Sequence, residues 1–342
     1  MKKLFALVLA GAMTLSLAAC GAKEQAPAAS SAPAASSAPA ASAAEPAAEV
    51  YTVGICQLAP HVALDAATQG FKDALIAEFG EEGVKFEEGN AAGDSATCAT
   101  IVNGFVSANV DLIMANATPA LQAAVAATAD IPVLGTSVTE YGVALGIQGF
   151  DGLVGTNVSG TSDLAPLDEQ ANMLVEWFPE AKTVGLLYCS AEANSQYQVD
   201  EVQKFLEAKG VTCTQYPFTD TNDMASVTQN AADNSDVVYV PTDNTVANNT
   251  GIVDNICRPA GVPVIAGEEG ICSGCGVATL SISYYDLGVA TGEMAAKILK
   301  GESNVSEMPI EYAKQVTPKY NEAICADLGL TPVEGYEAIT AG

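Results

Sequence analysis

Apolar residues along this chain gather in short runs of strand length, and amphipathic stretches of helix length separate them from residue 51 onward. A strand over 52–58 is followed by a helix over 63–79, and a strand over 84–89 by a helix near 95–108. Residues 111–115 lead into a helix from about Ala120, and 132–137 reads as another buried strand. A second round begins with a strand at 183–189 and a helix over 195–209, with further strands at 211–218, 237–241 and 262–266. Strands rich in β-branched residues, alternating with helices, predict an α/β fold built on parallel sheets.

The two rounds share landmarks at similar spacing. Val53-Gly54-Ile55 and Val184-Gly185-Leu186 each open a half. Asp111-Leu112-Ile113 with Thr118-Pro119-Ala120 parallels Asp236-Val237-Val238 with Thr242-Asp243-Asn244. Ile131-Pro132-Val133-Leu134-Gly135 parallels Val262-Pro263-Val264-Ile265-Ala266-Gly267. Two Rossmann-like lobes of one topology are expected, and about 290 residues suit two lobes better than one core. Ligands of open parallel sheets bind beyond the carboxyl ends of the strands, so facing lobes make a cleft lined by loops from both.

Composition changes what the cleft can hold. The net charge of −28 argues against nucleic acid, whose phosphates are met by Lys and Arg. Arg258 is the sole arginine, and it follows a helix on the side away from the expected cleft. Lys72, Lys204, Lys209, Lys297 and Lys300 fall on helices, while Lys85 and Lys182 precede strands. With no cation in the cleft, phosphates and polycarboxylates are poor ligands. His61 is the sole histidine, so a His-rich metal site is impossible, and no Gly-x-Ser-x-Gly elbow accompanies it for a hydrolase. No catalytic residue, cofactor or metal is expected.

The N-terminal segment says where the protein works. Lys2 and Lys3 precede an apolar run ending in Leu17-Ala18-Ala19-Cys20-Gly21, which resembles a bacterial lipobox. Residues 1–19 then read as a lipoprotein signal peptide and Cys20 as a lipidated N-terminus tethered to the outer face of the cytoplasmic membrane. Residues 20–50 form an Ala/Pro/Ser leash with too little apolar surface to fold. It would reach roughly 30 Å as a coil and about 90 Å as extended polyproline II.

Six motifs carry a family resemblance: Gln57-Leu58-Ala59-Pro60-His61-Val62-Ala63-Leu64-Asp65, Ala117-Thr118-Pro119-Ala120, Gly160-Thr161-Ser162-Asp163, Ala191-Glu192-Ala193-Asn194-Ser195, Pro241-Thr242-Asp243-Asn244 and Gly267-Glu268-Glu269-Gly270. In this order they resemble ABC-transporter solute-binding lipoproteins of the group that includes tryptophan- and tyrosine-binding receptors. The resemblance covers residues 51 to about 315. It implies a periplasmic-binding fold of type I, with lobe 1 at 51–160 plus 284–308 and lobe 2 at 161–283 plus 309–342. Crossings are expected near 158–163, 280–283 and 309–315, with a helix over 286–300 returning to lobe 1. It also implies a monomer that delivers an amino acid, aromatic by analogy, to an ABC permease. Nucleosides or other neutral small molecules are the alternative ligands.

The candidate ligand residues are His61, Thr118, Pro119, Ala120, Thr136, Glu192, Ala193, Asn194, Ser195, Asp243, Asn244, Glu268 and Glu269. Thr118-Pro119-Ala120 and Ala193-Asn194-Ser195 stand at helix starts, whose free N–H groups and dipole favour a carboxylate, although such residues also serve simply as N-caps. Asp243, Glu268 and Glu269 offer acceptors to an ammonium, and Asp243 equally suits a cap on the helix after it. Acids facing helix starts suit a zwitterion. His61 either faces the ligand or is merely exposed. Tyr141, Phe150 and Tyr197 lie near cleft loops, where they would stack on an aromatic side chain or pack in the core. Among the eight cysteines after Cys20, Cys272-Ser273-Gly274-Cys275 has redox-pair spacing, and the pairing stays open.

Overall fold

A computed structural model describes residues 50–339. The signal and lipidation expectations, and the leash expectation except at its last residue, Val50, fall outside the described residues. The first round runs β1 (Tyr51–Gln57), α1 (Val62–Phe79), β2 (Val84–Asn90), α2 (Ser95–Ala108), β3 (Leu112–Asn116), α3 (Thr118–Ala127), β4 (Val133–Val138), α4 (Tyr141–Leu145) and β5 (Val158–Ser162). The second runs α5 (Leu167–Trp177), β6 (Thr183–Cys189), α6 (Ala193–Ala208), β7 (Thr212–Phe218), α7 (Thr221–Asn234) and β8 (Val237–Val240). It continues through α8 (Asn244–Ala247), α9 (Thr250–Ala260), β9 (Val264–Ala266), α10 (Glu269–Cys275) and β10 (Ala278–Ser281). The chain then forms α11 (Tyr284–Leu299), β11 (Glu311–Tyr312), β12 (Thr317–Tyr320), α12 (Glu322–Asp327) and β13 (Glu337–Ala338).

Two sheets result, ordered β11-β5-β4-β3-β1-β2 and β13-β12-β10-β9-β8-β6-β7. Every pairing in the first is parallel; in the second only β10–β12 is antiparallel. The runs 2-1-3-4-5 and 7-6-8-9-10 are the same order, so the repeated sequence landmarks correspond to a repeated topology. This is the two-lobed type I periplasmic-binding fold.

Alternation along each strand supplies both helix layers. In β1 and β3, Val53, Ile55, Leu112 and Met114 face Phe71 and Leu75 of α1 and Met294 of α11. Cys56, Ile113 and Ala115 face the opposite layer, with Val102 and Phe105 of α2 and Leu121 of α3. The second sheet repeats this, with Leu186 and Tyr239 toward α5 and α6 and Leu187, Val238 and Val240 toward α7, α9 and α10. Both sheets are covered on both faces, as parallel sheets require.

The chain passes between the sheets after β5, after β10 and between β11 and β12. After the second crossing α11 returns to pack on α1 at backbone contact. A Cβ at Gly288 would stand 2.0 Å from the Ala67 carbonyl oxygen, and one at Gly70 would stand 2.1 Å from that of Tyr285. Only glycine permits that approach. β11 pairs with β5 in the first sheet, whereas 309–342 was expected to lie wholly with the second lobe. The short segments 141–145, 311–312, 317–320 and 337–338 were not foreseen, because they are too brief to show a period.

Candidate functional site

The carboxyl ends of both sheets face each other across a small closed cavity. From the first lobe come His61 and Leu64 after β1, Ser137 and Thr139 at and after β4, and Asp163 after β5. The second contributes Asn194, Thr242, Asp243, Asn244, Ala247 and Glu268, and Tyr284 stands at the second crossing. These places are where order reversal in a parallel sheet leaves a crevice. The free volume is about 10 Å³, room for a single water at ~10–15 Å³, so entry of a ligand requires the lobes to part. His61 Nε2 lies 3.3 Å from Asn244 Oδ1 across the cleft, and α4 packs against α6. The lobes are closed.

Three polar atoms on this wall are buried without a hydrogen-bond partner: Asp163 Oδ1, Asn194 Oδ1 and Ser137 Oγ. Leaving such groups unpaired costs about 1–3 kcal/mol each, and more for a charge. The other Asp163 oxygen accepts from the Tyr284 hydroxyl at 3.0 Å. The Thr139 hydroxyl stands beside the same carboxylate and eases its ionisation, but burial outweighs both contacts and raises its pKa. Asn194 Nδ2 is engaged, donating to the Thr242 carbonyl at 3.1 Å and to Glu192 Oε2 at 3.3 Å. Its carbonyl oxygen is left without a partner. Ser137 adopts φ +54°, a left-handed conformation that costs a non-glycine residue energy and that clusters at functional sites.

The acids expected to meet a ligand have other work. Asp243 Oδ2 accepts from the Cys189 N–H at 2.7 Å, and Oδ1 accepts from Val246 N–H at 2.9 Å as the cap of α8. Glu268 caps α10, accepting from Gly270 N–H at 2.6 Å and from Ile271 N–H. Burial pushes both carboxyls up to about 7, with Glu192 beside Asp243 adding to its rise. Glu192 precedes α6 but accepts none of its backbone N–H groups and instead receives those of Asn244 at 3.0 Å and Thr245 at 2.9 Å. Glu269 leaves the cavity altogether, bonding to Ser281 Oγ and to Lys319 Nζ at 2.7 Å.

Lys319 corrects the expectation of a cleft without cations. With Lys314 and Glu269 it lines an open groove of about 1300 Å³ between α1, α11, α10 and the crossings, and this groove shares His61, Glu268 and Tyr284 with the cavity. No lysine or arginine lines the cavity itself among the described residues. Thr118, Pro119 and Ala120 are buried but do not reach the cavity. Thr136 is a link in a buried threonine chain, its Oγ1 3.2 Å from that of Thr161, which is 2.9 Å from that of Thr291. Ser195 is buried beside Asn194, and Ala193 on its other side is half-buried.

The aromatic expectations shift as well. The Tyr141 hydroxyl donates to the Thr161 carbonyl at 3.0 Å, and its ring packs on Phe150 in the first core. Tyr197 packs against the second core. The rings at the cavity are Tyr284 and the imidazole of His61, which burial keeps below its ordinary pKa and so neutral at pH 7. Asp163, Ser137, Thr139 and Tyr284 are the residues that sequence reading missed. Their signal was position: Asp163 directly follows β5, and Ser137 lies at the end of β4.

The eight described cysteines are free thiols, seven of them buried. Cys272 and Cys275 sit inside the second lobe, where burial raises both well above ordinary thiols. No group of three or more metal-ligating side chains occurs among the described residues.

The profile of ABC transporter substrate binding proteins matches residues 52–337. The chain belongs to that family. A substrate-binding role in ABC transport, outside the cytoplasm and with a permease as partner, follows for this receptor. A tyrosine-binding protein of Clostridioides difficile is 32% identical over 90% of this chain and 87% of its own length. A domain from Streptococcus pneumonia, solved in complex with L-Trp, is 30% identical with a TM-score of 0.81, covering 85% of the receptor and 100% of that domain. A substrate-binding protein with adhesive properties from Clostridium difficile, solved ligand-free and open, is 38% identical. Its TM-score is 0.65, over 86% of the receptor and 100% of that chain. The more similar sequence thus superposes less well. No described helix is long and apolar enough to cross a membrane.

Proposed function

We propose that this receptor captures an aromatic α-amino acid between its lobes, holding the ammonium at Asp163 Oδ1, Asn194 Oδ1 and Ser137 Oγ. The carrying observation is that three residues lining one cavity each hold a buried oxygen without a partner. An ammonium has three N–H donors and needs three acceptors. The α6 N-terminus, without a side-chain cap and starting beside Asn194, is the place for the carboxylate. Tyr284 and His61 supply rings for an aromatic side chain. The tyrosine- and L-Trp-binding relatives support that choice.

Capture proceeds by closure about the crossings, with loops of both lobes contributing to the bound state. The reading further includes a monomeric receptor, lobe boundaries after β5, after β10 and between β11 and β12, and an acyl anchor on Cys20 that tethers it beside its permease. Calorimetric titration with the twenty amino acids, their deaminated analogues, nucleosides and sugars tests the ligand assignment. Binding of L-tyrosine, L-tryptophan or L-phenylalanine is expected, with none for their deaminated analogues. Preference for a nucleoside or sugar would overturn it.

A further inference from the structure

We propose that the carboxylates around the cavity hold the empty lobes apart, and that closure requires a cationic group, either the ligand's ammonium or protons taken up in its place. This inference rests on reading the cavity as an ammonium site.

The closed cavity concentrates acids, and no lysine or arginine is among its described lining residues. Asp163 is fully buried with one oxygen unpaired. The titratable groups facing it are all acids or neutral. Tyr284 of α11 donates to it, Tyr141 of α4 and Glu268 before α10 bear on it electrostatically, and Asp243 and His61 share its cavity. Glu192 adds negative charge beside Asp243. The ammonium of Lys319 is held by Glu269 in the neighbouring groove. An isolated buried carboxylate is costly, and in practice such a group takes up a proton.

The helix caps at Asp243 and Glu268 keep backbone partners in either state, since those bonds lie within the second lobe. Asp163 has no such alternative for Oδ1. Opening returns that oxygen to water, and a ligand ammonium replaces the water on closure. The sign follows from linkage: closure without ligand raises the carboxyl pKa, so the closed empty form binds more protons and gains population as pH falls. Its closed-to-open ratio rises roughly tenfold per pH unit for each proton taken up. The empty receptor is therefore more open at neutral than at acidic pH.

Small-angle scattering of the full chain tests this, read as radius of gyration with and without saturating L-tyrosine or L-tryptophan at pH 7.5 and 5.0. Ligand is expected to shrink the receptor at pH 7.5. Without ligand, acidification to pH 5.0 should move wild type toward the compact value, and Asp163→Asn should be compact already at pH 7.5. An unliganded wild type with the same radius at both pH values overturns the proposal, whether or not the variant folds. If neither amino acid binds by calorimetry, the amino-acid reading fails instead, and the pH arm still decides whether the acids resist closure.

Discussion

Replacing Asp163 by Asn changes little in shape and removes the one carboxylate oxygen that faces the cavity unpaired. The Tyr284 hydroxyl keeps an acceptor, since the amide oxygen can take the place of Oδ2 at 3.0 Å. The amide nitrogen then points at the ammonium, donor against donor. Breaking a buried ion pair by removing one partner costs about 3–5 kcal/mol, which is roughly two to four decades of affinity at 1.4 kcal/mol per decade. Glu268 stays nearby and retains some attraction, placing the expected loss near the lower end, about a hundredfold. Calorimetric titration with L-tyrosine and L-tryptophan reads the loss, and a thermal melt separates it from misfolding. The melt should not fall, because the replacement removes a carboxyl whose ionisation burial already disfavours. Asp243→Asn is the contrast. Its oxygens are occupied by Cys189 and Val246 N–H groups, so weakening a cap should cost ~1 kcal/mol of stability and less than tenfold in affinity. An Asp163→Asn receptor binding within about threefold of the parent, with Asp243→Asn losing a hundredfold, would refute the assignment.

The helix contact gives a second prediction. Gly288→Ala drives a methyl to 2.0 Å from the Ala67 carbonyl oxygen, so calorimetry should show a Tm lower by several degrees, on the order of 1–3 kcal/mol; an unchanged Tm would mean that α1 and α11 separate freely. His61→Ala deletes the bond across the cleft to Asn244, worth ~0.5–1.5 kcal/mol. Stopped-flow dissociation of bound amino acid should quicken by roughly two- to tenfold, and an unaltered rate would deny His61 any part in holding the lobes shut. For the anchor, Cys20→Ser should move the protein from the membrane to the soluble fraction, whereas co-sedimentation after a high-salt wash would place the anchor elsewhere.

The sequence pattern carried the fold because parallel strands buried on both faces appear as unbroken apolar runs. The strand expected at 183–189 matches β6, Thr183–Cys189, and the helix expected near 95–108 matches α2, Ser95–Ala108. Short elements such as β11 draw their structure from neighbours, here the pairing of Glu311 with Thr161, and have no period of their own. The site was harder to read. Asp243 and Asp163 both follow strands, but only contacts tell that one has two N–H partners and the other an idle oxygen. Glu192 stands before α6 in sequence and serves α8 in space. Lys319 lies on β12, whose return to the second sheet no local signal announced, and so the groove's ammonium was not anticipated. Cleft position is legible from strand ends; the division of labour among the acids there depends on long-range hydrogen bonds.

A crystal structure of the receptor with L-tyrosine or L-tryptophan bound tests the central claim most directly. The account predicts the ligand's ammonium nitrogen within ~2.7–3.2 Å of Asp163 Oδ1, Asn194 Oδ1 and Ser137 Oγ, with Asp243 and Glu268 still capping α8 and α10. A ligand whose ammonium rests on Asp243, or one lodged in the groove beside Lys314 and Lys319, would contradict it.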